Sequence, residues 1–327
     1  MTPRRVVVTG AGGFVGGHLV ERFARDGWDV VALVRAGGSA LRRREGVRSV
    51  ETDLARPDAL DGVLRSGDVV VHLAGRAHVM HESASDPLAA FRAANVAPTE
   101  MLCESASGAG VARFVFVSSA KVFGEGRERP YVVTDPMAPA EPYAQSKAEA
   151  ERVVRQAGDR GPFDWTILRP PFVYGPGGKG NFPRLVKLAG LSTVVPLPFA
   201  SIDNRRSIVF VGNLVDLIVH AVQRPAASRR VLLPTDAEDV STPELLRAIA
   251  AAADSRARLF SCPRAVLRAA ARMIGRSAEM DRLTESLRLD SRHLRELLDW
   301  QPPFSLDRAL ALSLDASGGP STAHAHV

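Results

Sequence analysis

Cysteine is almost missing from this 327-residue chain: Cys103 and Cys262 stand far apart, without metal-ligand spacing. That argues against a disulfide framework and for a reducing, cytoplasmic setting. No apolar run is long enough to span a bilayer. The opening "MTPRRVVVTG" enters a strand-like segment directly, with no long apolar signal region. Internal repeats are lacking as well. The net charge is +6, but the arginines are dispersed at helical spacings and form no contiguous basic stripe. Dispersed charge describes solvated faces rather than a nucleic-acid footprint. Neither nucleic acid nor membrane is therefore expected as a partner. "HVMHE", His78 to Glu82, sets two histidines beside a carboxylate with no further ligand set. It reads as loop near a substrate pocket, and no metal is expected.

What is present is an alternation. "RVVVTG", "WDVVALVR", "VRSVETDL", "DVVVHLAG", "RFVFVSS" and "DWTILRPP" are β-rich runs separated by helical stretches. Near-continuous Val, Ile, Leu and Phe implies strands buried on both faces, hence a parallel sheet between helix layers. The repeated β-then-α order predicts an α/β doubly wound (Rossmann) fold. From about Pro171 the pattern turns to Gly/Pro-rich loops, "YGPGGKGNFPRL" and "VVPLPFAS", then to mixed elements. The expected organisation is a dinucleotide-binding domain over 1–170 and a smaller α+β substrate-binding region over 171–315. Part of the second region would return to the sheet, and 316–327 would be a disordered tail. "STPELLRAIAAAA" predicts a helix capped by Ser241 or Thr242, with Glu244 in its first turn.

"VVVTGAGGFVGGHLVERFARDG" is a strand, a glycine turn and an amphipathic helix, with Gly10, Gly13 and Gly16 spaced three apart. Glycine there permits a tight turn, backbone approach to a pyrophosphate and close helix–sheet packing, with the phosphates at the helix N-terminus. At the first βα junction of such a series, this spacing points to a dinucleotide. NAD sites commonly end the second strand on Asp or Glu, whereas this strand ends Val34-Arg35. An arginine suits a 2′-phosphate, and Arg42, Arg43 and Arg44 lie near in sequence. NADP(H) is the expected preference, with NAD(H) possible.

With these pieces in place the chain resembles the extended short-chain dehydrogenase/reductase family of nucleotide-sugar epimerases, dehydratases and keto-reductases. The matching motifs run in order: "TGAGGFVG", "DL", "HLAG", Asn95, "SSAKVFG", "YAQSK", "LRPPFVYGPG" and "RRSIVFVGNLVDL". The likeness is strongest to 4-epimerase-like and 4-keto-reductase members of UDP-N-acetylhexosamine pathways. It implies Tyr143 as acid/base, Lys147 as its partner and Ser119 as the third member. The physics agrees, because Tyr143 and Lys147 lie about one helical turn apart and share a face. A lysine ammonium should also lower a phenol's pKa from its usual ~10. The resemblance further implies cofactor contacts from Gly10, Gly13, Phe14, Val15, Gly16, Arg35, Asp53, Leu54, Leu73, Ala74, Gly75, Asn95, Tyr143, Lys147 and Pro170. Asp53 would accept from the adenine amino group, and Asn95 would anchor the active-site helix or its water. Pro98 replaces a family glycine and is expected to kink its helix.

Three departures narrow the reaction. Ala120 and Lys121 stand where 4,6-dehydratases carry an acidic pair, which argues against dehydration. Phe172 stands where relatives carry a sugar-contacting Asn, while Asn181 and Arg206 match positions that hold the nucleotide's diphosphate and base. The missing acidic residue at Val34-Arg35 leans toward reduction of a nucleotide-linked 4-keto sugar. A 4-epimerase with tightly held NAD is the close alternative, and a non-catalytic NADP sensor a lesser one. The resemblance also implies a homodimer through two helices per subunit.

Overall fold

Valine-rich segments of the first half lie side by side because both their faces are apolar and each needs a helix layer. A computed structural model describes residues 4–35, 37, 44–56, 58–77, 85–178, 180–273 and 275–315. Its strands are β1 (Arg5–Thr9), β2 (Asp29–Val34), β3 (Val47–Glu51), β4 (Val69–His72), β5 (Arg113–Val117) and β6 (Asp164–Leu168), then β7 (Phe172–Tyr174), β8 (Ile208–Phe210) and β9 (Arg230–Leu232). The first helices are α1 (Phe14–Arg25), α2 (Pro87–Asn95), α3 (Ala97–Ala109), α4 (Pro142–Arg160), α5 (Asn181–Val194) and α6 (Val211–Gln223). They are followed by α7 (Thr242–Ala252), α8 (Arg264–Met273), α9 (Ser277–Thr284), α10 (Arg292–Leu298) and α11 (Leu306–Asp315).

Seven strands form one parallel sheet in the order β3-β2-β1-β4-β5-β6-β9. The doubly wound fold expected from the alternation is what the chain adopts. Strand order reverses between β1 and β4, which opens a crevice at the carboxyl ends of those strands. Register sets Thr9 beside His72 at that edge. β9 comes from beyond residue 171 and pairs with β6, while β7 and β8 make a separate two-stranded sheet.

Two apolar layers flank the sheet. One packs Leu19, Val20 and Phe23 of α1 and Leu214, Leu217 and Ile218 of α6 against it. The other packs Leu102 and Ala106 of α3 and Ala150 and Val154 of α4. Ser241 caps α7 in a reciprocal capping box with Glu244, as its sequence predicts. Pro98 acts differently from the expected kink. The helix is divided at Val96 into α2 and α3, and Pro98 sits in the first turn of α3. There its missing N–H is one that no helix would use.

Candidate active site

The glycine turn builds a floor that excludes side chains. Gly10 has φ +64°, and a Cβ on it would lie 2.8 Å from the Ala74 nitrogen. A Cβ on Gly16 would lie 2.2 Å from the Gly10 carbonyl oxygen. Gly13 donates its N–H to Gly10 O at 2.9 Å and caps α1 without a side chain. The first N–H groups of α1 are thus left to an outside acceptor, and a pyrophosphate fits that cradle. Phe14 and Val15 open α1 half-buried. Over them lies the loop after β7, held by a 2.9 Å bond between His18 Nε2 and Pro176 O.

The cradle wall beyond β4 is fixed by a relay that no motif announced. Thr9 Oγ1 accepts the N–H groups of both Leu73 and Ala74, each at 3.1 Å. Its own proton therefore goes to His72 Nδ1, 2.7 Å away. His72 Nε2 must then carry a proton, which it gives to Thr99 Oγ1 at 2.9 Å. Thr99 passes its hydroxyl proton to Asn95 O at 2.6 Å. Every donor in the chain has one acceptor, which fixes a neutral imidazole. Burial, helped by Lys147 nearby, pushes His72 down to about 3. The Leu73 and Ala74 N–H groups are accordingly directed at Thr9 and not at a ligand.

Asn95 anchors the active-site helix, one of the roles expected of it, while its amide is taken up by protein and not left for the cofactor contact also expected. Its Oδ1 accepts from Arg76 N at 2.7 Å, while Nδ2 donates to Arg76 O at 3.2 Å and Ser146 Oγ at 2.9 Å. Ser146 in turn donates to Tyr143 O at 2.8 Å. The buried amide is engaged by protein, so Asn95 ties the loop after β4 to the first turn of α4 instead of facing a cofactor. Gly75 gives it room, since a Cβ there would lie 3.0 Å from Asn95 Oδ1. Pro170 is likewise buried, and its carbonyl accepts from Ala120 N at 2.9 Å, which braces the Ser119 turn.

The rim is open. Arg35 is exposed at the end of β2. Asp53 is exposed after β3, with Oδ1 accepting from Ala55 N at 3.1 Å, and Leu54 is half-buried beside it. Arg44 pairs with Glu21 on α1 at 2.7 Å, which neutralises one of the arginines expected to add to a phosphate field. Arg42, Arg43, the "HVMHE" segment and the tail 316–327 lie outside the described residues. Among the described residues no cluster of three metal-ligating side chains occurs.

Ser119 follows β5 by two residues and caps a short 3₁₀ turn over Ala120–Phe123, accepting from Lys121 N at 3.3 Å. Its side chain neighbours the Tyr143 phenol and acts to lower that group's pKa. Ser118 anchors the strand end through its N–H to Leu168 O at 2.8 Å. Tyr143 and Lys147 stand in the first two turns of α4, after Pro142 at its start. The Lys147 ammonium lies 4.1 Å from the centre of the Phe116 ring, and Glu151, one turn further, is buried behind it.

The electrostatics differ from the simple lysine-lowers-tyrosine expectation. Burial pushes the Tyr143 phenol up to about 12, against the opposing pull of Ser119. Burial also pushes Lys147 from its ordinary 10.5 down to about 7, against the pull of Glu151. Desolvation therefore outweighs charge pairing at both groups, and the phenol is a proton donor at neutral pH.

On the substrate side, Asn181 begins α5 half-buried after Gly180. Arg206 is threaded between Val240 and Leu287 by backbone bridges, and its guanidinium reaches Glu285 O at 3.3 Å. Burial lowers Arg206, with Glu125 and Glu285 opposing. Those two glutamates were not foreseen. They share a hydrogen bond that, with burial, pushes Glu285 up to about 7, while Lys121 and Arg206 help hold Glu125 below the usual range. Lys121 reaches Glu141 at 2.6 Å and Glu125 at 3.7 Å. The pair joins residues 160 positions apart, so neither glutamate carries a local signal.

A family model described as the NAD dependent epimerase/dehydratase family matches residues 6–233. A UDP-glucose 4-epimerase of Vibrio cholerae is 37% identical over 318 residues, covering 96% of this chain and 95% of the relative. A UDP-glucose 4-epimerase of Mycolicibacterium smegmatis is 30% identical over 327 residues, covering 95% and 97%. Among solved structures, the UDP-glucose 4-epimerase of Thermotoga maritima with UDP-glucose superposes with a TM-score of 0.76 at 20% identity. That superposition covers 96% of this chain and 98% of that one and concerns the fold.

Proposed function

The chain belongs to the NAD-dependent epimerase/dehydratase family, and we propose that it interconverts UDP-linked sugars by oxidising and re-reducing C4. The observation that most supports this reading is the placing of Tyr143 beside Ser119, with Lys147 one turn along the same helix, at the crevice edge of the sheet. The 37% relative that spans nearly the whole chain favours epimerisation over the keto-reduction that Val34-Arg35 suggests.

A nicotinamide, when bound, supplies the hydride acceptor and donor; the remaining work falls to the chain. Gly10, Gly13 and Gly16 with the start of α1 would hold the pyrophosphate, and Asp53 and Arg35 the adenosine end. Ser119 orients the sugar O4 toward the phenol. Tyr143 takes the O4 proton as C4 is oxidised and returns it as C4 is reduced. Lys147 is poised near neutrality, so a small gain of negative charge nearby keeps it protonated and favours the phenolate. Asn181 and Arg206 would hold the nucleotide diphosphate, a role the guanidinium fork suits.

One observation favours a second reading. Arg35 stands exposed where an NAD site commonly has a carboxylate, which suits exchangeable NADPH and net reduction of a 4-keto sugar. Incubating the purified protein with UDP-glucose or UDP-N-acetylglucosamine, without added cofactor, separates the two. Formation of the 4-epimer supports the first reading. Turnover of a UDP-4-keto sugar only with added NADPH supports the second and overturns the first. We further infer a homodimer in a reducing cytoplasm, consistent with two unpaired cysteines; sedimentation of the purified chain tests the former.

A further inference from the structure

The 3₁₀ turn that follows Ser119 meets α4 at two places, one on each side of Tyr143. On the inner side Ala120, Val122 and Phe123 are buried in one cluster with Ala148, the residue after Lys147. On the outer side Lys121 Nζ donates to Glu141 Oε2 at 2.6 Å. Glu141 is the N-cap residue of α4, and its carbonyl accepts from Gln145 N at 2.9 Å. Its carboxylate makes no bond to the N–H groups of its own helix, although the helix dipole favours an anion there. It is turned instead toward a lysine 20 residues away in the chain.

The main chain of Lys121 is engaged as well. Its N–H goes to Ser119 Oγ at 3.3 Å, which occupies one lone pair of the hydroxyl and leaves the Ser119 proton for a partner beyond the turn. Lys121 thus touches Ser119 with its backbone and the start of the Tyr143 helix with its side chain. Glu125, a second carboxylate beside it, is 3.7 Å away and outside hydrogen-bond reach. Attachment at one point would let the turn pivot. Attachment at Glu141 and at Ala148 fixes the angle at which Ser119 faces Tyr143.

We propose that Lys121 is a positioning residue of the reaction, an ammonium strap that holds the Ser119 turn against the start of α4 so that Ser119 and Tyr143 address one sugar oxygen. The inference rests on the C4 reading above. The Lys121 and Glu141 side chains are 34% and 55% exposed, so their ion pair adds little to stability. What it restricts is geometry, to which a transfer between aligned groups is far more sensitive. An acidic residue at 121 would instead repel Glu141 and Glu125. The cation that argued against dehydration thereby acquires a task of its own.

Steady-state epimerisation of UDP-glucose by variants of the full chain tests this. Lys121→Met and Glu141→Gln should each lower kcat about three- to five-fold with KM little changed, the range an exposed pair can carry. The double variant should be no slower than either single one, because both remove the same strap. Lys121→Arg, which keeps the charge, should restore the parent rate, and urea midpoints should match the parent throughout. A rise in KM at unchanged kcat would overturn the proposal by making Lys121 a substrate contact. Losses that multiply in the double variant would overturn it too. So would a Glu141→Gln protein faster than the parent, which would show Glu141 acting through its charge on the phenol. Tyr143→Phe separates these results from failure of the C4 reading. A parent no faster than Tyr143→Phe would end that reading and the proposal with it, whereas a loss confined to Tyr143→Phe would end the proposal alone.

Discussion

Two groups of charge, one buried and one open to solvent, flank Ser119 and Tyr143, and they are built on opposite plans. Behind Lys147, Glu151 and Arg169 form a two-pronged ion pair at 2.9 and 2.7 Å, with side chains 0% and 3% exposed. The Arg169 guanidinium also lies 4.6 Å from the centre of the Phe123 ring. Both Glu151 oxygens are engaged by the Arg169 fork, so the pair works as a rigid brace joining α4 to the end of β6. On the other side, Glu125 and Glu285 face each other between Lys121 and Arg206, which raises Glu285 and lowers Glu125, and Lys121 is 34% exposed. With Glu125 exposed and Glu285 raised to about 7, that group is the more adjustable of the two. A fixed rear wall and an adjustable front are what a site needs if it must hold one proton donor still while admitting a charged substrate.

The comparison can be broken most severely at the phenol it surrounds. Tyr143→Phe should lower turnover of UDP sugars by about 10²–10⁴-fold, with an unfolding midpoint in urea equal to that of the parent. On the rigid side, Glu151→Ala leaves the Arg169 charge buried without its carboxylate. Urea unfolding should show a loss of about 3–5 kcal/mol.

Lys147 tests the same side with the opposite sign. Its folded-state value of about 7 lies below the ordinary 10.5. Between those limits the unfolded chain holds a proton that the folded protein has released, so stability of the cofactor-free protein rises with pH across that window. Lys147→Met should remove this slope, raise stability at pH 7 by about 1–3 kcal/mol, and abolish turnover. A variant less stable than the parent at pH 7 would refute the assignment of burial as the dominant cause.

The smallest effect is expected at the adjustable group. Glu285 is raised from 4.5 to about 7, so it contributes stability below pH 4.5 that is lost as pH rises through 7. Glu285→Gln should flatten that part of the pH profile and shift the denaturant midpoint little. A large loss of stability in this variant would show that the second group is as rigid as the first.

The two groups also mark how far the sequence could be read. Gly10, Gly13 and Gly16 act through contacts within one βα unit, and Tyr143 and Lys147 through one helical turn, so spacing alone carries them. The Thr9–His72–Thr99 relay needs the register of two neighbouring strands and a helix between them, and "HLAG" discloses none of that. Asn95 was legible as an anchor of the active-site helix, but only geometry shows its amide engaged by Arg76 and Ser146 and so unavailable for the cofactor contact also expected. The pKa order of Tyr143 and Lys147 was illegible for another reason: desolvation depends on how deeply α4 is sunk, which spacing does not encode. Glu125 and Glu285 meet only because the chain after α9 returns along Arg205 and Arg206.

The glycine floor has a bearing on redesign. Because a methyl group at Gly10 or Gly16 would collide with main chain, coenzyme preference cannot be edited from beneath the pyrophosphate. Libraries aimed at swapping one nicotinamide coenzyme for the other should leave that turn intact and vary Arg35 and Asp53, where solvent already occupies the space a new side chain would take.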